Sequence, residues 1–61
     1  VGCTPIQYIT KVRIEKAMEL LKESNLPVSV VALEVGFNDP LYFTRVFSRR
    51  VGVTPRQFRE A

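Results

Sequence analysis

Thr4-Pro5-x-Gln7 and Thr54-Pro55-x-Gln57 are one helix start written twice, 50 residues apart. In each, threonine caps with its hydroxyl and proline takes the first helical position, where no N–H is needed. Glutamine then reaches back as in a capping box. Asp39-Pro40 has the same cap-then-proline order. Ser29 stands as a cap before another apolar run, with Val28 and Leu33 spaced for a hydrophobic staple. Ser24-Asn25-Leu26-Pro27 breaks the first helix, Gly36 can stop the second in a left-handed conformation, and Gly52 ends the third. The punctuation predicts helices over Pro5–Glu23, from Ser29 to Gly36, over Pro40–Arg50, and a short one from Thr54. A strand over 30–35 competes, because Val30, Val31 and Val35 are β-branched. That run does not alternate and lies between a cap and a glycine, so helix is the reading kept. The chain is read as all-α.

The match at the two ends is wider than the cap. Val1–Tyr8 and Val51–Phe58 both read V-G-x-T-P-x-Q-aromatic, identical at five positions. Either one unit is duplicated, or the chain is a window on something that repeats.

Sixty-one residues make at most one small domain, which buries only about 60% of its unfolded surface. The chain has one cysteine and no histidine. A disulfide scaffold is therefore excluded, no Cys/His metal site is offered, and no cofactor is implied. Cys3 precedes a helix cap, where a thiol pKa can fall, but it has no base partner and reads as structural. Paired carboxylates on a cleft wall and a glycine-rich phosphate loop are also missing, which argues against an enzyme. No apolar run approaches the roughly 20 residues of a membrane span.

The net charge of +3 is unevenly placed. Residues 1–40 carry Lys11, Arg13, Lys16 and Lys22 against Glu15, Glu19, Glu23, Glu34 and Asp39, a net −1. Residues 41–61 carry Arg45, Arg49, Arg50, Arg56 and Arg59 against Glu60, a net +4. Arginine's planar fork suits phosphates and base edges better than lysine does.

At about 100° per residue the third helix sorts into two faces. Phe43, Val46 and Phe47 share the side expected to be core. Leu41, Thr44, Arg45 and Ser48 share the other, flanked by Tyr42 and Arg49. No acid falls between Pro40 and Arg50, so this outward face suits a negatively charged partner. In the first helix Ile6, Ile9, Ala17, Leu20 and Leu21 form an apolar stripe with Arg13 in its middle. Arg13 either snorkels to solvent or makes a structural ion pair, with Asp39 or Glu34 as the nearest acids. Tyr8 and Val12 lie among the charged residues on another side, which suggests a helix that contacts two bodies.

A helix with Ala32 four residues before Gly36, a tight turn and a second amphipathic helix form a helix-turn-helix pattern. The wider text is more specific. R-I-x-x-A at Arg13–Ala17 is followed by Leu20-Leu21 and by V-A-L-E-V-G-F at 31–37. Then come N-D-P-L-Y-F-T-R-V-F at 38–47 and G-V-T-P-x-Q-F-R at 52–59. Over its whole length the chain resembles the AraC/XylS family of bacterial transcription regulators. That resemblance implies a homeodomain-like, three-helical type of module, and it gives a reason for the repeated phrase. In such domains two helix-turn-helix modules are joined by a long helix, and each closes on G-x-[ST]-P-x-x-[FY]. Residues 1–8 would then hold the tail of a first module and the start of the linking helix. Residues 5–23 would be the linking helix, 28–51 the second helix-turn-helix, and 54–61 the closing helix.

The resemblance implies double-stranded promoter or operator DNA as partner, in a bacterial cytoplasm, at the nucleoid when bound. It puts base reading at Pro40, Leu41, Thr44 and Arg45. Phosphate positioning falls at Ser29, Val30, Arg49, Arg50 and the helix start at Thr54. Arg45 suits guanine O6 and N7, while Leu41 and the Thr44 methyl suit a thymine methyl. Two positions depart from the family pattern: Leu41 replaces a polar residue, commonly serine, and Ser48 replaces a frequent lysine. Phe37, Phe43, Phe47, Pro55 and Phe58 are expected in the core. The rival reading is a small helical interaction module that docks on a transcription-machinery partner such as RNA polymerase. It is disfavoured because the outward face of the third helix lacks an exposed aromatic or methionine anchor. A membrane-surface helix fails because the arginines share a helix whose apolar face the fold needs. Self-association through the first helix is a further expectation.

Overall fold

The computed structural model describes residues 4–61. Cys3, and with it Val1 and Gly2 of the repeated phrase, lies outside the described residues. Four helices follow in order: α1 (Pro5–Glu23), α2 (Val28–Glu34), α3 (Pro40–Val51) and α4 (Pro55–Glu60). There is no strand among the described residues.

The caps explain where the helices begin. At α1 the Gln7 N–H donates to Thr4 Oγ1 at 3.1 Å, and the Thr4 N–H donates to Gln7 Oε1 at 3.1 Å. At α4 Thr54 and Gln57 make the same reciprocal pair at 3.0 and 3.1 Å. Asp39 caps α3 by accepting from the Leu41 N–H at 3.0 Å. Helix α2 departs from the sequence expectation. Its N-cap is Pro27, with no side-chain cap, and Ser29 lies within the first turn. The reason is local: extended Pro27 presents its carbonyl to the N–H groups of both Val30 and Val31, at 3.0 Å each. The expected staple fails with the cap, since Val28 is inside the helix and Leu33 is exposed.

Helix α2 ends in a Schellman motif. The Phe37 N–H donates to the Ala32 carbonyl at 2.8 Å and the Gly36 N–H to the Leu33 carbonyl at 3.1 Å. The residue between must be left-handed, and Gly36 has φ +102°.

The core gathers Ile14, Ala17 and Leu21 of α1, Val31 and Ala32 of α2, Val35 and Phe37 of the turn, and Phe43 and Phe47 of α3. Phe58 and Val46 pack against it, half-buried, and Pro55 is buried. A file of rings runs through it: Phe37–Phe43 at 5.3 Å, Phe43–Phe47 at 5.7 Å and Phe47–Phe58 at 5.7 Å between centroids. On α1 the buried stripe starts later than expected. Ile6 and Ile9, read as part of the apolar face, are 77% and 47% exposed, and Ile14 is the buried residue instead. The first turns of α1 extend past the core, so their apolar face has nothing over it.

Arginine also closes the far end of α1. Arg59 of α4 donates from Nε to the Leu21 carbonyl at 3.1 Å and from a terminal nitrogen to the Ser24 carbonyl at 3.5 Å. These last carbonyls of a helix have no partner within it. Lys22 bonds the Ala61 backbone oxygen at 3.0 Å and lies 4.9 Å from the centre of the Phe58 ring. Helices α2 and α4 thus both lean on α1, and α3 is held between them.

Candidate nucleic-acid interface

Helix α3 carries the charged face, and its orientation is fixed from inside. Phe43 and Phe47 are fully buried, which turns Leu41, Arg45 and Arg49 outward. Leu41 is 65% exposed, and Arg45, Arg49 and Arg50 are exposed. Thr44 is half-buried and its hydroxyl donates to the Pro40 carbonyl at 3.0 Å. With that donor engaged, its methyl and the acceptor side of the hydroxyl oxygen are what is left for a partner. Pro40 is exposed at the first position of the helix.

The arginines divide into two groups by what they already touch. Arg56 pairs with Glu60 at 3.4 Å, the one ion pair among the described residues. Arg59 caps α1. Arg59 is held within the fold, and the Arg56 charge is offset by an exposed i,i+4 partner. Arg45, Arg49 and Arg50 have no such contact with described residues, and all three lie on α3. The basic excess of residues 41–61 is therefore concentrated on one helix.

Of the other expected positions, Ser29 is exposed in the first turn of α2. The Val30 N–H is engaged by the Pro27 carbonyl. At Thr54 the N–H is engaged by Gln57. Neither backbone donor is open to a phosphate, because the caps have already taken both.

Arg13 does not pair with Asp39 or with Glu34; the expected ion pair is corrected. Its guanidinium rests on the turn instead, 5.7 Å from the centre of the Phe37 ring. Asp39 accepts from the Leu41 N–H at the head of α3. The sequence signal for this arrangement is the pairing of an aromatic with Gly36, whose bare Cα admits the arginine. No helix among the described residues is long and apolar enough to cross a membrane.

Two helices joined by a glycine turn, the second presenting exposed arginines from an aromatic-anchored helix, define a helix-turn-helix DNA-binding domain. Comparison with known proteins agrees. Residues 1–61 match the family model described as "Helix-turn-helix domain". The chain is 46% identical over 59 residues to the HTH-type transcriptional activator RhaR of Cronobacter sakazakii, covering 97% of this chain and 21% of that protein. It is 39% identical to the uncharacterized HTH-type transcriptional regulator YisR of Bacillus subtilis, with the same coverage. Among solved structures it superposes on the C-terminal domain of AraT, a response regulator from Geobacillus stearothermophilus, with TM-score 0.94 and 41% identity. That match covers 97% of this chain and 49% of the other. The C-terminal domain of the two-component response regulator yesN from Fusobacterium nucleatum matches with TM-score 0.93 and 36% identity, covering 95% and 56%. The chain belongs to the AraC-type helix-turn-helix family of transcription regulators, which are not enzymes. It spans about a fifth of the length of the curated relatives it matches.

Proposed function

We propose that the chain reads duplex DNA by placing α3 in the major groove. Arg45 reads bases as a bidentate donor, while Leu41 and the Thr44 methyl make apolar contact, with Pro40 seated at the groove floor. Arg49 and Arg50 neutralise flanking phosphates, and Ser29 adds a hydroxyl at the start of α2. The observation that carries this reading is the division of the arginines: those on α3 are uncommitted, whereas Arg56 and Arg59 are engaged within the fold. Base contacts specify and phosphate contacts position, so the two groups of α3 residues predict different phenotypes.

The exposed Ile6 and Ile9, with Tyr8 and Val12 beside them, support a second part of the proposal. This half of α1 is the seat of a preceding module, α1 being the linking helix of a two-module unit. The solved relatives, about half of whose length this chain covers, are consistent with such a unit. Left uncovered, the same face brings copies of the chain together.

The test is duplex-DNA binding by fluorescence anisotropy across a salt series, for the unaltered chain, Arg45→Ala and Arg49→Ala. Affinity should fall with salt at a slope of several phosphates. Arg45→Ala should lose sequence preference, at about 1–3 kcal/mol for a base contact. Arg49→Ala should weaken all sequences alike and reduce the slope by about one. Salt-independent binding, or none even at low salt, would defeat the reading.

A further inference from the structure

We infer that Tyr42 is a further DNA contact, its hydroxyl donating to a backbone phosphate at the edge of the groove that α3 enters. The inference rests on the DNA reading above and adds a residue and a role to it.

Three observations converge on this side chain. Tyr42 is 58% exposed, although its neighbour Phe43 is fully buried; the expectation that no exposed aromatic stands beside the outward face of α3 is thereby corrected. Its ring is nevertheless anchored, tilted at 53° against Phe37 with centroids 6.0 Å apart. The phenol oxygen has no hydrogen-bond partner among the described residues. A tyrosine held by its ring with its hydroxyl unengaged is a pre-organised donor.

Position selects the acceptor. At about 100° per residue Tyr42 and Arg49 form one row along α3. The row lies to the α1 side of the outward pole marked by the exposed Leu41 and Arg45. It borders a shallow open depression whose other wall includes Thr10 of α1. The Thr10 hydroxyl donates to the Ile6 carbonyl at 3.0 Å, so that wall supplies no competing donor. Side chains at the pole of a groove-bound helix meet base edges, whereas those on its flank meet the strand that borders the groove. From the turn side an anion approaching Tyr42 would meet the Asp39 carboxylate and the Arg13 guanidinium together, one charge of each sign, both bordering a neighbouring depression. From the Arg45–Arg49 side it meets two cations. The favoured acceptor is therefore a phosphate lying beside Arg49, along the row it shares with Tyr42.

The decisive variant is Tyr42→Phe, which keeps the ring on Phe37 and removes only the hydroxyl. Anisotropy titrations would compare the unaltered chain, Tyr42→Phe, Tyr42→Ala and Arg49→Ala on two duplexes of unrelated sequence, across a salt series. Circular-dichroism melts would confirm that Tyr42→Phe is folded. The expected result is binding about three- to tenfold weaker for Tyr42→Phe on both duplexes. Its salt slope should match that of the unaltered chain, because a phenol carries no charge, while Arg49→Ala flattens the slope. Tyr42→Phe binding like the unaltered chain, while Arg49→Ala loses slope, would overturn the Tyr42 contact and leave the DNA reading intact. Weaker binding by Tyr42→Ala alone would overturn it equally, since the ring and not the hydroxyl would then be the contact. A change in duplex preference would make Tyr42 a base reader and overturn the phosphate assignment. If the unaltered chain binds neither duplex at the lowest salt, the DNA reading falls and this contact with it.

Discussion

Arg13 of α1 lies against Gly36: a Cβ added at Gly36 would stand 3.0 Å from Arg13 Nε and 3.1 Å from Cζ. The same guanidinium faces the ring of Phe37, which in turn touches both Tyr42 and Phe43. One side chain of the long helix thus reaches the turn and, through Phe37, the first turn of α3. Glycine is required here for its positive φ, and a Cβ would in addition oblige the arginine to give by a few tenths of an ångström.

Gly52 separates those two effects. Its φ of +97° nearly equals the +102° of Gly36, but a Cβ there meets nothing within 4 Å. Gly52→Ala should cost only the backbone strain, about 1–2 kcal/mol. Gly36→Ala should cost more in urea unfolding, and the excess should shrink when Arg13→Ala is added. Equal losses at the two glycines would show that Arg13 yields without penalty.

Much of the fold is legible in the sequence because the caps are local. Thr4, Asp39 and Thr54 each begin a helix within a few residues of chain, and α1 spans the expected Pro5–Glu23. Ser29 misleads because Pro27, two residues earlier, already supplies the carbonyl and the extended geometry for the first turn. Periodicity gives α1 its inner face but not the length over which that face is covered. Ile6 and Ile14 are both apolar and lie on neighbouring parts of it, yet only Ile14 has α2 and α3 residues to pack with. Counting charges pairs Arg13 with an acid, whereas an aromatic ring and a bare Cα leave no mark in such a count. At the candidate site, the face of α3 follows from spacing alone. Which arginines are uncommitted does not, since Arg59 finds its carbonyls at separations of 38 and 35 residues.

Arg59→Ala should therefore act on stability and not on DNA. It removes the partners of the Leu21 and Ser24 carbonyls, a loss of about 1–2 kcal/mol readable as a lower urea midpoint. Its salt slope for duplex binding should equal that of the unaltered chain under conditions where both are folded. A slope reduced by about one, as expected for Arg49→Ala, would add Arg59 to the phosphate-contacting set.

Phe47 tests how far the ring file carries the domain. It is fully buried, with Phe43 and Phe58 each 5.7 Å away. Phe47→Ala should cost about 3–5 kcal/mol, while the whole domain has roughly 3–9 kcal/mol at about 0.05–0.15 per residue. The variant should be largely unfolded near 37 °C by circular dichroism, and Phe47→Leu should recover most of the helix signal. A cooperative melt of Phe47→Ala at the original temperature would place the stability elsewhere.

The exposed half of α1 makes a last prediction, about association. Ile6 and Ile9 continue the helix's inner face but meet solvent, and burying them is worth about 25 cal/mol per Å² of apolar surface. Sedimentation at rising concentration should show reversible self-association of the chain. Ile6→Ser with Ile9→Ser should abolish it and leave the melting temperature almost unchanged, because neither residue supports the core. Adding Tyr8→Ser and Val12→Ser should have little further effect if the inner face is the one that pairs. If instead the second pair alone removes association, the contact lies on the charged side of α1 and the seat proposed for a preceding module moves with it.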